Sequence, residues 1–127
     1  MVDTILYIAA SLPIIWGISH LFPTSNVVTG FGDITEDNKN IIRMEWIVEG
    51  ISMIFIGSLV ALVTYLDPFH TISFYVYSMS IIALFTLAFV SILTGFKINF
   101  LPFKLCPFIF SASAILIIIG RGILSNV

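Results

Sequence analysis

Two carboxylates one helical turn apart are the residues of this sequence best placed to do chemistry. Glu45 and Glu49 lie in the otherwise apolar stretch from Met44 to Gly50, and residues four apart share one face of an α-helix. Two ionised carboxylates at this spacing repel each other, and a carboxylate at membrane depth usually faces protein or a water-filled cavity. The pair therefore needs a proton, a cation, a histidine or a hydrogen-bond donor beside it.

The composition places these carboxylates in a membrane protein. Of 127 residues, 59% are hydrophobic and 9% are charged, whereas about 25% of the residues of a soluble domain are charged. The length leaves room for about four spans of roughly 20 residues each. We therefore predict a single domain over residues 1–127, an all-α integral membrane protein built as a four-helix transmembrane bundle in up-down-up-down order. The net charge of −2, without a basic run, argues against a nucleic-acid partner.

Helix breakers and polar residues set the limits of the predicted spans. Phe22-Pro23 closes the first span and Asp67-Pro68 closes the second, since the residue before a proline disfavours helix. Thr35, followed by two acidic residues, is typical of a helix start, so the second helix is predicted to begin in water near Glu36. The predicted spans are about 4–21, 41–66, 72–95 and 105–124, with a polar connection over 23–40.

Basic residues predict the orientation. Four of the five basic residues lie in or beside the first and third connections: Lys39, Arg43, Lys97 and Lys104. The fifth, Arg121, lies near the end of the fourth span, on the opposite side. The positive-inside rule then makes connections 23–40 and 96–104 cytoplasmic and leaves both termini outside.

Alternating directions bring a histidine to the same end of the bundle as the carboxylates. His20, at the end of the first span, is predicted at the level of Glu45, and Glu49 lies roughly 10 Å beyond Ile42 and is the deeper carboxylate. Imidazole and carboxylate together suit a divalent metal, and the same set suits a cation, a proton relay or a polar headgroup. The purely structural alternative leaves Glu45 solvated and Glu49 protonated or bonded to His20.

Other residues at this end and along the second span have less specific roles. Trp16 and Trp46 either stack beside the carboxylates or act as interfacial anchors. Gly50 and Gly57 share a face of the second span, and small residues allow close helix approach in lipid. We expect that face to pack within the bundle or in a homo-oligomer.

The opposite end of the bundle carries His70, which is separated from His20 by about 30 Å, the thickness of the bilayer core. This distance argues against a haem that bridges the two histidines. Arg121 is predicted at that end as well, where it extends to the interface or pairs with Asp67 or Asp3.

Three stretches of the first half carry a family resemblance. Trp16 to Thr24, Gly30 to Ile34 and Met44 to Gly50 resemble small uncharacterised four-span proteins of prokaryotes. The resemblance implies a prokaryotic cell membrane and no known activity. The chain is similar to DoxX-like proteins only in length and span count. Vitamin K epoxide reductase-like enzymes also use a four-helix membrane bundle, but their CxxC motif is absent, since Cys106 is the single cysteine.

The sequence favours a non-enzymatic function. We expect a small ligand, a cation or a lipid headgroup to bind at one end of the bundle, covered by residues 23–40. The expected site comprises one histidine, two carboxylates and two indoles: His20, Glu45, Glu49, Trp16 and Trp46. One alternative is a non-catalytic accessory or scaffold subunit of a membrane complex. Another is a membrane-embedded metal-dependent enzyme, although metal motifs such as H-E-x-x-H are absent. No catalytic residue and no cofactor is assigned.

Overall fold

The structure, a computed structural model, describes the backbone of residues 2–125 and the side chains of residues 2–122. Within residues 2–125 the chain is all-α, with five helices: α1 (Val2–Leu21), α2 (Thr24–Gly30), α3 (Glu36–Leu66), α4 (Thr71–Gly95) and α5 (Leu101–Ser125). Four of them, all but α2, are long and apolar enough to cross a membrane. The predicted four-helix architecture is confirmed, and the chain fits a small multi-pass membrane protein. Met1 and Val127, which the sequence places outside the membrane, lie beyond the described residues.

Side-chain caps define where α3 and α4 begin. The Thr35 hydroxyl accepts a hydrogen bond from the Asn38 N–H at 3.3 Å, so α3 begins at Glu36 as its sequence predicts. His70 caps α4 in the same way, because its Nδ1 accepts the Ile72 N–H at 3.2 Å. His70 is therefore an exposed capping residue at the end of the bundle away from His20.

Two segments differ from the expected limits. The connection 23–40 contains α2, which is tied to the end of α1 by the Thr24 hydroxyl, a donor to the Leu21 carbonyl at 2.6 Å. Val28 of α2 is 2% exposed. The last long helix begins at Leu101, earlier than the predicted 105. Pro102 allows this early start because a proline in the first turn removes an N–H that has no intrahelical partner.

The four long helices form a row in the order α3–α1–α5–α4, with α1 and α5 as the inner helices. α1 packs on α3 and on α5, α4 packs on α5, and α3 touches α4 only lightly. Neighbours in this row run antiparallel. Ser113 of α5, for example, donates to the Ala9 carbonyl of α1 at 2.7 Å, whereas Cys106, earlier in α5, contacts Trp16, later in α1. The order α3–α1–α5–α4 therefore leaves the bundle weakly closed between α3 and α4.

Glycines permit the close approach of α1 and α3. A Cβ at Gly17 would lie 2.6 Å from the Gly50 carbonyl oxygen, and one at Gly57 would lie 2.5 Å from the Ala10 carbonyl oxygen. Both glycines of the predicted small-residue face are buried under α1. Of the two packings expected from the sequence, the structure shows the one within the bundle, and a homo-oligomer through Gly50 and Gly57 stays a prediction.

The outer faces of the long helices are apolar. Large side chains point away from the bundle on each of α3, α4 and α5, among them Phe55, Met79, Phe89 and Phe108, all more than 60% exposed. A soluble protein rarely leaves so much contiguous apolar surface in water. These faces fit contact with the lipid bilayer.

Arg121 has an aromatic neighbour in place of the acidic partners considered from the sequence. Its Cζ lies 5.2 Å from the centroid of the Phe74 ring, within the range of a cation–π contact. In the described part of the chain it forms no ion pair with Asp3 or Asp67. Its Nε is buried without a hydrogen-bond partner.

Candidate ligand-binding site

The end of α1 is fixed against α3 by a stacked pair of rings. The imidazole of His20 and the indole of Trp46 have centroids 3.8 Å apart and planes inclined by 14°. Trp46 Nε1 also donates to the His20 carbonyl oxygen at 2.6 Å. That carbonyl belongs to the last turn of α1, where the carbonyl groups have no N–H partner within the helix. Both residues are buried, so the imidazole is held in one position.

His20 lies beside Glu49, the deeper of the two carboxylates. His20 Nε2 is 3.4 Å from Glu49 Oε2, and the contact is an ion pair only when the imidazole is protonated. Its geometry is not that of a hydrogen bond, since Nε2 is buried without a hydrogen-bond partner. The side chain of His20 is 7% exposed and that of Glu49 is 41% exposed. Glu49 is therefore the member of the pair that another molecule can reach.

A small cavity of about 180 Å³ lies behind this pair, between Trp16, His20, Trp46 and α5. Trp16 Nε1 donates to Cys106 Sγ at 3.3 Å, which fixes its indole against α5. Sulfur is a weak acceptor, so this bond is weaker than the one that Trp46 makes. The volume is below the range of about 300–1,000 Å³ that is typical of ligand pockets.

A larger cavity, of about 740 Å³, lies on the Glu49 side of the pair, between α2, α3 and the segment that leads into α5. Glu45 and Glu49 both line it. Its remaining wall is mainly apolar and includes four aromatic side chains: Phe31, Trp46, Phe100 and Phe103. Its size and its few polar groups on an apolar wall are typical of a site for a small organic molecule.

The carboxylates of this cavity have no lysine or arginine beside them among the described residues. Among the described residues, no lysine or arginine lines the three cavities at this end of the bundle. Lys39 is paired with Glu36 at 2.7 Å, and Arg43 donates to the Asn40 side-chain oxygen at 2.7 Å. Glu45 is exposed and forms no ion pair with another described residue. Apart from His20 beside Glu49, the described residues thus bring no basic side chain to these carboxylates, and a bound cation would complement them.

A third cavity, of about 370 Å³, separates α3 from α4. We call it the α3–α4 crevice. Glu45 and Glu49 lie on its α3 wall, and Ser91 and Thr94 lie on its α4 wall. It shares Phe103 and Cys106 with the small cavity and the two carboxylates with the large one. All three cavities are thus lined by Phe103 at the start of α5, and Glu49 lines the large cavity and the crevice.

The structure brings the predicted residues to one end of the bundle, where each of them lines at least one cavity: His20, Trp16, Trp46, Glu45 and Glu49. The sequence did not identify Phe100 and Phe103, whose only signal is an aromatic pair in a short connection. In the described part of the chain no group of three or more histidine, cysteine, aspartate or glutamate side chains is placed to hold a metal ion.

Replacing Trp46 with phenylalanine is expected to lower the free energy of unfolding by about 1 kcal/mol, the usual net value of one hydrogen bond. The stacked ring is retained, but the bond to the His20 carbonyl is lost. Trp16→Phe is the matched control, because it removes only the weaker bond to sulfur. Thermal unfolding in mild detergent, followed by circular dichroism, measures both. An equal loss in the two variants would contradict the structural role given to Trp46.

The site is thus a carboxylate pair on an aromatic wall, with a fixed histidine behind the deeper carboxylate. These features belong to residues that α1, α3 and the start of α5 bring together. Comparison of the chain with known protein families, with curated proteins and with solved structures yields no match.

Proposed function

We propose that this protein binds an ammonium group carried on an apolar body, in the 740 Å³ cavity between α2 and α3. The observation that carries the proposal is the charge of the wall. Glu45 and Glu49 both line the cavity, and no lysine or arginine lines it. An anionic ligand would meet two carboxylates, whereas a cationic ligand would meet two acceptors.

The wall matches an organic cation better than an inorganic one. Calcium takes about 6–8 oxygen ligands, and this mainly apolar wall offers only two carboxylates. An alkylammonium group instead donates charge-assisted hydrogen bonds to carboxylates. Its positive charge is also attracted to the faces of aromatic rings such as Trp46 and Phe103. The apolar part of the ligand would bury surface against the remaining side chains.

His20 has a positioning role in this proposal. Trp46 fixes its ring and its backbone, and its enclosed Nε2 lies beside Glu49 Oε2. The imidazole therefore limits the positions open to the Glu49 carboxylate. Glu49, with its more exposed side chain, contacts the ligand.

The site would open toward the cytoplasm. The basic residues that predict orientation flank the end of the bundle at which the cavities lie: Lys39, Arg43, Lys97 and Lys104. The positive-inside rule supports this direction. Under it, α2 covers a cytoplasmic pocket.

Three probes with similar apolar bodies and different charges test the proposal: 2-phenylethylammonium, 2-phenylethanol and 3-phenylpropanoate. Of the two tryptophans of the chain, Trp46 lines the cavity proposed to bind the ligand and Trp16 lines the small cavity beside it, so intrinsic fluorescence reports on the site without a label. We expect the cation to bind at least about tenfold more tightly than the alcohol, since a hydrogen bond to a charged group contributes about 1.5–3 kcal/mol. The anion is expected to bind most weakly.

Equal affinity for the cation and the alcohol would overturn the proposal. A lipid headgroup and a free amine can carry the same ammonium group, and titrations without and with added lipid distinguish these two ligands. The titration is made in detergent without lipid, and again after addition of phosphatidylethanolamine. Competition by this lipid identifies a headgroup as a ligand of the site, and its absence identifies a free amine.

A further inference from the structure

We infer that the ligand is a phospholipid with an ammonium headgroup, and that one of its acyl chains lies in the α3–α4 crevice. This inference rests on the proposed function, because it places the lipid ammonium at the same two carboxylates. It adds a second binding element, a site for hydrocarbon between two membrane-spanning helices.

The first support is the position of the crevice in the bundle. α3 and α4 form the weakly packed boundary of the row of helices, and a cavity of about 370 Å³ remains between them. Val48 of α3 and Val90 of α4 line this cavity and are 52% and 50% exposed. Both helices are long and apolar enough to cross a membrane. The crevice therefore opens sideways, toward bilayer lipid.

The second support is the polarity along the crevice. Thr94, near the end of α4, and Leu87, deeper along the same wall, are separated by roughly 10 Å at 1.5 Å per residue. On the opposite wall, Glu45 precedes Glu49 toward the start of α3. The carboxylates and Thr94 thus lie toward the end of the crevice that meets the large cavity, and Leu87 on the α4 wall is the apolar residue beyond them. A lipid has the same polarity, with a charged headgroup at the surface and hydrocarbon below it.

The third support is the charge around the opening. The connection between α4 and α5 supplies Ile98 and Phe103 to the crevice, and Lys97 and Lys104 are their neighbours in the chain. The two lysines line none of the cavities, but they adjoin lining residues in the chain, and a long lysine side chain there would reach the phosphate of a headgroup whose ammonium lies at the carboxylates. A free amine would use only the carboxylates.

Substitutions on α4 separate the crevice from the ammonium site. Ser91→Phe places a large ring in the crevice, where the serine side chain is half-buried. Ile92→Phe is the matched control, since Ile92 lies next to it in the chain and is 51% exposed. Thr94→Phe is a second obstructing variant, at the polar end of the crevice. Circular dichroism checks that each variant is folded.

The experiment measures fluorescence quenching by lipids with brominated acyl chains, in nanodiscs of phosphatidylglycerol. Bromine quenches tryptophan at short range, and the crevice shares Cys106 with the cavity that Trp16 lines. We expect brominated phosphatidylethanolamine to quench at an at least about tenfold lower mole fraction than brominated phosphatidylglycerol, because only the former has an ammonium for the carboxylates. Ser91→Phe and Thr94→Phe should abolish this preference, and Ile92→Phe should retain it.

All three variants should still bind 2-phenylethylammonium in detergent, which keeps the two proposals distinguishable. Equal quenching by the two lipids in the unchanged protein would overturn the inference while leaving the ammonium site in place. A folded Ser91→Phe or Thr94→Phe variant that keeps the lipid preference would also overturn it. If the unchanged protein does not bind 2-phenylethylammonium, the proposed function is refuted instead.

Discussion

Replacing Glu49 with glutamine is expected to weaken the binding of 2-phenylethylammonium by about tenfold to a hundredfold, because a hydrogen bond to a charged group contributes about 1.5–3 kcal/mol. Glutamine keeps the size of the side chain and one acceptor oxygen and removes the charge. The group that lies 3.4 Å from His20 Nε2 thereby changes from a carboxyl to a neutral amide. The fluorescence titration with the charged and neutral probes measures the change.

Glu36→Gln is the matched control for this substitution. It makes the same change of charge in the same helix, but Glu36 is exposed and pairs with Lys39 away from the cavities. We expect it to leave binding unchanged. Glu45→Gln should give a smaller loss than Glu49→Gln, because an exposed carboxylate interacts weakly through water. If Glu49→Gln weakened the alcohol as much as the cation, the loss would come from the shape of the site and the proposed charge recognition would be wrong.

Replacing Gly57 with alanine is expected to lower the free energy of unfolding by about 1–3 kcal/mol, the usual cost of an added methyl group in a packed core. The new Cβ would lie 2.5 Å from the Ala10 carbonyl oxygen and 2.6 Å from the Ile14 side chain. Because the nearest atom is backbone, α1 and α3 must move apart. Unfolding in detergent, followed by circular dichroism, measures the loss.

Gly30→Ala is the control, since no atom outside its own turn lies within 4 Å of the added Cβ. We expect it to unfold as the unchanged protein does. Size-exclusion chromatography with light scattering adds a second readout. A Gly57→Ala variant with normal unfolding and a changed oligomeric mass would show that this face packs between copies, contrary to the structure.

The sequence could predict the spans and the end of the bundle at which the carboxylates lie. Hydrophobic length determines where a helix crosses a membrane, and alternating directions bring His20 to the same end as Glu45 and Glu49. The expected level of His20 is that of Glu45, whereas the structure places its Nε2 3.4 Å from Glu49, one turn deeper. The cap at Thr35 is a local pattern, and so the start of α3 could be predicted to the residue. These features depend on distances along the chain.

The lateral order of the helices could not be predicted. Spans that alternate in direction can be placed side by side in several lateral orders, and the sequence does not distinguish these orders. It therefore did not show that α1 lies between α3 and α5. The crevice and the large cavity follow from that order. α2 was missed for a related reason: seven residues carry no periodic pattern, and its position depends on the burial of Val28.

The open order of the helices has a mechanical consequence. α3 is attached to the rest of the bundle mainly through α1, and α4 mainly through α5. The distance between α3 and α4 can therefore change while the contacts of α1 with α3 and of α5 with α4 stay intact. A change in the lateral pressure of the bilayer would displace this boundary before any other. Since Glu45 and Glu49 line it, the width of the bundle and the environment of its carboxylates are physically coupled.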